Sequence, residues 1–333
     1  MAGIAPDIFV TPIRIFRGDS VASCAQVGDA IRFAWYYADD DVLSDSWYWP
    51  SPCDDITNAI NDGETQGRGG KGTTIVFAAG NTSNRDQGII GSPTYPATLA
   101  STIAVGAINR YGDLTNYTPE GSGLDLVAPS GHYAGWCNGD VVTRDPLGPA
   151  GVCNDGPDGD IDYTSTFTGT SAAAPQVAAV AALLYSREGS PNSSEARGRL
   201  HSGADPWGSS TQFGYGKLNA YNTLVPKPGV TLSGPSNGCA YCYVTVTASV
   251  SGGISPYTYA WTINGGLACA NQSSCSGQLG GPDTWTTFTV TVTDAGGGYG
   301  RTSSASHSVY ACPPQSPATT VSTAANAPAA ICK

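Results

Sequence analysis

"TFTGTSAAAPQVAAVAALLYS", residues 166–186, decides how this chain is read. Val177, Val180, Ala181 and Leu184 recur at i, i+3, i+4 and i+7, the spacing of one apolar helix face. The alanines between them leave no charged face, so a helix from about Ser171 to Ser186 belongs in a core. A serine at a helix start accepts a backbone N–H that lacks an intrahelical partner, which makes Ser171 an ordinary cap. The same position sets a hydroxyl where the helix dipole favours negative charge, which suits a nucleophile. The segment alone does not choose between the two.

Upstream, apolar strand-like runs alternate with helix-like ones. "DIFVTPIRIF" (7–16) reads as a strand, "SVASCAQVGDAIRFAWYYA" (20–38) as a helix, "DVLSDSW" (41–47) as a strand and "CDDITNAINDGETQG" (53–67) as a short helix. "GTTIVFAAGN", "TIAVGAIN" and "LDLVAPS" follow as further strands. This alternation implies βαβ units and a mostly parallel sheet covered on both faces. "FAAGN" and "VAPSG" end their strands in Gly or Ser loops, where open α/β sheets place ligands.

Near residue 225 the composition changes. A first domain of residues 1–224 is followed by a Pro/Gly-rich linker at 225–232, "VPKPGVTL". Within 233–312, "YCYVTVTASV", "SPYTYAWTING" and "TWTTFTVTVTDAGG" alternate with period two and carry no helical pattern, as an antiparallel β-sandwich requires. Residues 313–333 form a Pro/Ala/Thr-rich tail.

The 333 residues are 40% apolar and 12% charged, with a formal net charge of −11. That balance excludes a charged disordered chain and argues against nucleic acid, whose binding replaces condensed counterions with Lys and Arg. Ten cysteines beside a single methionine point to an oxidising, extracellular compartment and to disulfides. No Cys-x-x-Cys pair has histidines spaced as zinc ligands. No uninterrupted apolar run reaches the roughly 18 residues of a transmembrane helix. "MAGIAPDIFVTPIRIF" has neither the basic region nor the long apolar region of a signal peptide, so the expectation is a secreted protein missing its beginning.

Asn81 closes "GKGTTIVFAAGN". A side-chain amide at the mouth of a buried strand is one standard oxyanion donor, and an asparagine after a strand is also an ordinary turn residue. Taken together and in order, "GKGTTIVFAAGN", "YPATLASTIAVGAIN", "LDLVAPSG" and "FTGTSAAAPQVAAVAALL" resemble the catalytic domain of subtilisin-like serine proteases, the peptidase S8 or subtilase family. "GIAPDIFVTPIRIF" and "ADDDVLSDSW" are similar to that family's strand after the active-site histidine and to its substrate-binding strand. The resemblance covers residues 1 to about 224. It implies a three-layer α/β fold, Ser171 as nucleophile and Asn81 as oxyanion-hole amide. It also implies a substrate strand added beside Ser46, Trp47 and Tyr48, with Ala79 and Gly80 lining the site. Tyr48 stands where the family has glycine. Polypeptides are the implied substrates, and the setting is that of a secreted, bacterial enzyme.

The family presents Asp, then a His-Gly-Thr motif, then Ser, and the first two lie upstream of the "GIAP" segment; neither is present. His132, His201 and His307 lack the context of a catalytic base, and Asp39, Asp40 and Asp41 read as a structural acidic turn. The expectation is therefore a fragment of a serine endopeptidase with little activity of its own. The alternative is a non-catalytic secreted binding or adhesion protein on a protease scaffold.

Asp54 and Asp55 faintly resemble the acidic stretch of the kexin and furin branch, and also read as solvated turn acids. Asp158, Asp160 and Asp162 in "NDGPDGDIDY" space oxygens as a calcium loop does, but lack the sixth-place glycine and the distal Glu, which favours a solvated acidic loop over calcium. Cys137 with Cys153, Cys24 with Cys53, and Cys269 with Cys275 could pair, whereas Cys239, Cys242, Cys312 and Cys332 are left unassigned. "SGGISPYTYAWTING" and "TFTVTVTDAGG" resemble PKD-like or related immunoglobulin-like modules, in which Trp261 is core packing rather than a sugar-stacking ring. Such modules serve as spacers or adhesion units toward a cell-surface or matrix ligand.

Overall fold

The computed structural model describes residues 3–16, 22–131, 141–144, 148, 162–165, 167–187, 191–225, 227–295 and 301–314. The chain divides into two compact units, Met1–Leu224 and Val225–Lys333.

In the first unit, α1 (Cys24–Arg32) opens on a capping box in which the Ser23 hydroxyl accepts the Gln26 N–H and the Gln26 side chain accepts the Ser23 N–H. A wider turn, Phe33–Tyr37, extends it. There follow β1 (Val42–Asp45), α2 (Asp54–Gly70), β2 (Thr74–Ala78), β3 (Ile103–Ile108), β4 (Leu126–Pro129) and the short pair β5 (Thr143–Arg144) and β6 (Tyr163–Thr164). Then come α3 (Thr170–Arg187), α4 (Ser193–Gly203), α5 (Ser210–Phe213) and α6 (Ala220–Leu224).

β1 to β4 form one parallel sheet in sequence order. Every residue of β2 and β3 is buried, as parallel strands covered on both faces must be. Val27, Ile31, Ile56 and Ile60 of α1 and α2 pack on one face, where Ile75 and Phe77 point. Val177, Val180 and Ala181 of α3 and Leu200 of α4 pack on the other, against Val76, Ile103, Val105 and Leu126. Because Asp45 pairs with Phe77 in the ladder, the segments leaving β1 and β2 emerge side by side at one sheet edge.

Two local expectations are corrected. Segment 7–16, read as a strand, pairs with no strand among the described residues. Ile13 packs against the core and the Thr11 hydroxyl donates to Asp40, while Phe9 is fully exposed; an apolar, β-branched run alone forms no strand without a ladder partner. α2 outruns the expected short helix, and its last turn departs from helical geometry at Gly67–Gly69, with Arg68 at φ +55°. Arg68 is held there by Asp41 and by the Tyr185 ring, 3.9 Å below its guanidinium carbon.

In the second unit, β7 (Gly229–Ser233), β8 (Asn237–Cys239), β9 (Tyr243–Ser251), β10 (Thr258–Ile263), β11 (Gly266–Ala270), β12 (Ser274–Gln278), β13 (Thr284–Thr293) and β14 (Thr302–Cys312) form two sheets. Their orders are β11-β10-β13-β14-β8 and β12-β9-β7. Trp261, Phe288, Val290 and Val309 of the first share one core with Val246, Ala248 and Cys275 of the second. β7 lies in the stretch read as linker and pairs with β9 from Gly229 to Ser233. Trp261 is 1% exposed, and its indole N–H donates to Gln272 O.

Disulfides join Cys24 to Cys53, Cys239 to Cys242 and Cys269 to Cys275. Cys137, Cys153 and Cys332 lie outside the described residues.

Candidate active site

The start of α3 is bonded on every side. Gly169 sits at φ +84°, a backbone conformation open to glycine. Its N–H donates to the Tyr117 hydroxyl at 2.9 Å, and its carbonyl accepts the Ser130 hydroxyl at 2.8 Å and the Ala172 N–H at 3.0 Å. Tyr117 and Ser130 are themselves hydrogen-bonded and buried. The Gly-Thr-Ser turn is therefore fixed to the end of β4 before the helix begins.

Thr170 joins it to the end of β2. Its N–H donates to Asn81 Oδ1 at 3.0 Å, its hydroxyl donates to the same oxygen at 3.1 Å, and that hydroxyl accepts the Gly80 N–H at 3.1 Å. A backbone N–H only donates, so the Asn81 atom facing it must be the amide oxygen. Nδ2 is thereby turned outward as a donor. Among the described residues, neither Asn81 Nδ2 nor the Ser171 N–H has a hydrogen-bond partner, the latter because the first turn of a helix contains no acceptor for it. Both lie beside Gly169: a Cβ there would be 3.0 Å from Asn81 Nδ2 and 3.6 Å from Ser171 N. Two free donors thus converge on a space kept open by a missing side chain.

Pro175 explains how Ser46 reaches this place. Proline has no N–H, so the Ser171 carbonyl four residues earlier loses its helical partner. The Ser46 hydroxyl supplies the donor at 3.0 Å. Ser171 is half-buried, with its helix continuing into core.

The other candidates fall as follows. Trp47 packs edge-on against Phe77 at 5.0 Å and donates from its indole to Asp45 Oδ1 at 2.8 Å; Tyr48 is exposed. Ala79 is buried, with its N–H given to Val105 O and its carbonyl taken by Thr94 N–H. Its backbone and the Gly80 N–H are therefore already committed. Asp45 Oδ2 is buried without a partner, and burial pushes this carboxyl up to about 7 against the opposing pull of the Trp47 hydrogen bond.

His201 Nε2 lies 2.9 Å from Asp125 Oδ1 and its ring stacks on Tyr215 at 3.8 Å, while His307 belongs to the second unit and contacts Pro235 O. Among the described residues no histidine bonds to Ser171; His132 lies outside them. Asp40 accepts from Thr11, and Asp54 and Asp55 fill the first turn of α2, where the helix dipole favours acids. Asp162 Oδ1 accepts the Gly148 N–H at 2.8 Å, whereas Asp158 and Asp160 lie outside the described residues. The one group of candidate metal-ligating atoms among the described residues is Cys24, Cys53 and Asp55, and its two sulfurs are joined as a disulfide.

Thr170, Gly169, Tyr117 and Ser130 are not singled out by sequence reasoning. For Thr170 a signal exists, since it stands inside the Gly-Thr-Ser triplet; Tyr117 and Ser130 offer none. Along the edge of β1, which pairs with no strand on that side among the described residues, runs a groove of about 1000 Å³, walled on one side by segment 7–16 and on the other by Val42–Trp47, with Pro175, Ala178 and Ala182 of α3 beneath.

Among known proteins, the chain is 29% identical to a thermophilic serine proteinase of Bacillus sp. strain AK1, over 68% of this chain and 47% of that protein. It is 30% identical to a calcium-dependent protease of Trichormus variabilis, over 67% of this chain and 37% of that protein. Subtilisin Savinase of Lederbergia lenta is 25% identical over 66% of this chain and 68% of its own length. The matched region thus spans half or less of the first two relatives. Among solved structures, a lanthipeptide protease superposes with TM-score 0.54 at 21% identity, covering 66% of this chain and 71% of that one. A protease of Pseudoalteromonas arctica superposes with TM-score 0.51 at 24% identity, covering 67% and 64%. These two show a shared fold. The family model of the subtilases, peptidase S8, matches residues 1–216, and with it the parallel sheet and the buried helix behind Ser171 have their explanation: the chain belongs to the subtilase family.

Proposed function

We propose that the first unit carries out the nucleophile and oxyanion half of serine endopeptidase chemistry. Ser171 Oγ attacks the scissile carbonyl, and Asn81 Nδ2 and the Ser171 N–H hold the developing oxyanion. The observation that carries this reading is the pair of unpartnered donors converging beside Gly169. The substrate strand adds along Ser46–Tyr48, with Ala79 and Gly80 as its floor.

A serine hydroxyl needs a base, and the described residues offer none at Ser171. The groove along β1, at the edge unpaired among the described residues, supports a reading in which a further strand seats there and brings the base to the same edge. The rival is a dead scaffold that keeps the turn for stability, favoured by that same lack of a bonded histidine.

Calcium belongs to this proposal through the two relatives named calcium-dependent proteases. Asp158, Asp160 and Asp162 are the residues that would hold it. Asp162 already spends one oxygen on Gly148, and no step of the reaction is routed through the ion. Secretion, and a PKD-like character for the second unit, are part of the same reading.

Fluorophosphonate labelling tests it. The chain, expressed together with any in-frame polypeptide preceding Met1, should label at Ser171, lose the label in Ser171→Ala, and cleave casein. Asn81→Leu should lower kcat by about 10²–10³-fold with KM little changed. No label on a folded, propeptide-free protein establishes the scaffold instead.

A further inference from the structure

We propose that one end of the C-terminal unit binds neutral polysaccharide by stacking sugar rings on Trp285 and Tyr310. This goes beyond the proteolytic reading and does not depend on it.

The outward positions of the sheets follow a pattern. In β13, Thr287, Thr289, Thr291 and Thr293 point away from the core, whereas Thr286, Phe288, Val290 and Val292 point in. Their β14 partners Ser308, Ser306, Ser304 and Thr302 carry hydroxyls too, and three cross-strand pairs are hydrogen-bonded at 2.8–2.9 Å. β9 repeats this on the opposite sheet, with Thr245 bonded to Ser276 and Thr247 to Ser274. Each ladder ends in an aromatic residue, and all at the same end of the unit. Trp285 is paired with Tyr310 at 5.2 Å between centroids, and Tyr243 stands opposite Gln278.

That end is joined across its top by the 280–283 turn. Tyr241 N–H donates to Gly280 O, and Asp283 N–H donates to Ala311 O. Asp283 Oδ1 accepts the Tyr310 hydroxyl at 2.6 Å, and Gln278 Nε2 donates to Tyr241 O at 2.9 Å. The hydrogen bond to Asp283 ties the Tyr310 hydroxyl to the turn and raises the phenol above its usual range. Trp285 is 55% exposed, Tyr241 63% and Tyr243 73%.

The Trp285–Tyr310 pair sets two neighbouring rings on the outward face of one sheet, a flat apolar surface of the kind that marks a binding site. The surroundings choose its chemistry. Next to the rings stand a carboxylate oxygen, an amide oxygen and rows of hydroxyls, which are partners for sugar hydroxyls. The outward positions of β9, β13 and β14 carry no aliphatic side chain, whereas the centre of a protein interface is enriched in apolar residues. Cations are remote. Among the described residues of this unit, Arg301 is buried against Asp294, and Lys227 precedes β7, whose first residue pairs with Ser251 at the far end of β9 from Tyr243. A sulfated or phosphorylated polymer would find no counter-charge there, so the ligand is uncharged.

The test uses the full chain carrying Ser171→Ala, so that its outcome is independent of proteolysis. Native gels cast with hydroxyethylcellulose and depletion onto insoluble chitin are the two probes. The parent chain should be retarded or depleted by at least one of them, and Tyr111→Ala, an exposed aromatic of the first unit, should behave like the parent. Trp285→Ala should weaken binding about tenfold, equivalent to an aromatic contact of about 1.4 kcal/mol. Tyr310→Ala should weaken it too, and serves as the deciding variant if Trp285→Ala does not fold. Trp285→Phe should recover part of the loss. Absence of binding to both probes, or binding by both alanine variants as strong as that of the parent, overturns the proposal.

Discussion

Replacing Thr170 by valine asks whether the junction of β2 and α3 is held by a hydroxyl or by packing. Thr170 is 1% exposed, and valine matches its shape, so the change removes one oxygen and opens no cavity. Asn81 Oδ1 loses one of its two donors and keeps the Thr170 N–H at 3.0 Å. The Gly80 N–H loses its acceptor outright. A net hydrogen bond contributes about 1 kcal/mol, and an orphaned donor costs about 1–3 kcal/mol. A buried methyl in place of the hydroxyl returns roughly 0.8 kcal/mol. The balance is a loss of about 2 kcal/mol, which at a urea m-value of about 2 kcal/mol/M lowers the midpoint by about 1 M. All helices of the described residues lie in the first unit, so ellipticity at 222 nm follows it selectively. Thr170→Ser keeps the oxygen and loses a methyl, for about 1 kcal/mol. The expected order of stability is wild type, serine, valine. A valine variant within about 0.5 kcal/mol of wild type, or more stable than the serine variant, refutes the hydroxyl latch.

Asp45 gives a pH dependence. Its carboxyl is held at about 7 in the fold, above its unfolded value, so the stability linked to its neutral form is complete below about pH 4 and lost as pH rises through 7. At 1.36 kcal/mol per unit the ceiling is about 4 kcal/mol. Asp45→Asn should flatten the change in urea midpoint between pH 5 and pH 8; an unchanged slope removes Asp45 as its source. Trp261→Ala should destabilise the second unit by about 3–5 kcal/mol, read as rapid proteolytic loss of residues beyond 225 while the 222 nm transition stays in place. Equal resistance to proteolysis would show that this ring is not the centre of that core.

Much of the first unit is legible in the sequence because it is written in local periodicity. The i, i+3, i+4, i+7 pattern of α3 and the unbroken apolar runs of β2 and β3 state which faces are buried, and buried strands need covering helices. Segment 7–16 misleads because an apolar, β-branched run reports only a preference for a strand, whereas a strand exists only where a ladder partner stands beside it. The stretch 225–232 misleads for the converse reason: its Pro and Gly signal a turn, but pairing to β9 overrides them from Gly229 onward.

By itself, the sequence determined the alternation that gives a parallel sheet, the buried helix behind Ser171, and the family to which they belong. Tertiary structure alone decided how distant residues serve one another. Thr170 uses a hydroxyl and an N–H to orient the amide of Asn81, 89 positions away in sequence. Pro175 frees a carbonyl that Ser46 then bonds, and Trp285 rather than Trp261 faces solvent. Periodicity says which side of an element is apolar. Which donor meets which acceptor depends on register and packing between segments, and no single segment contains that information.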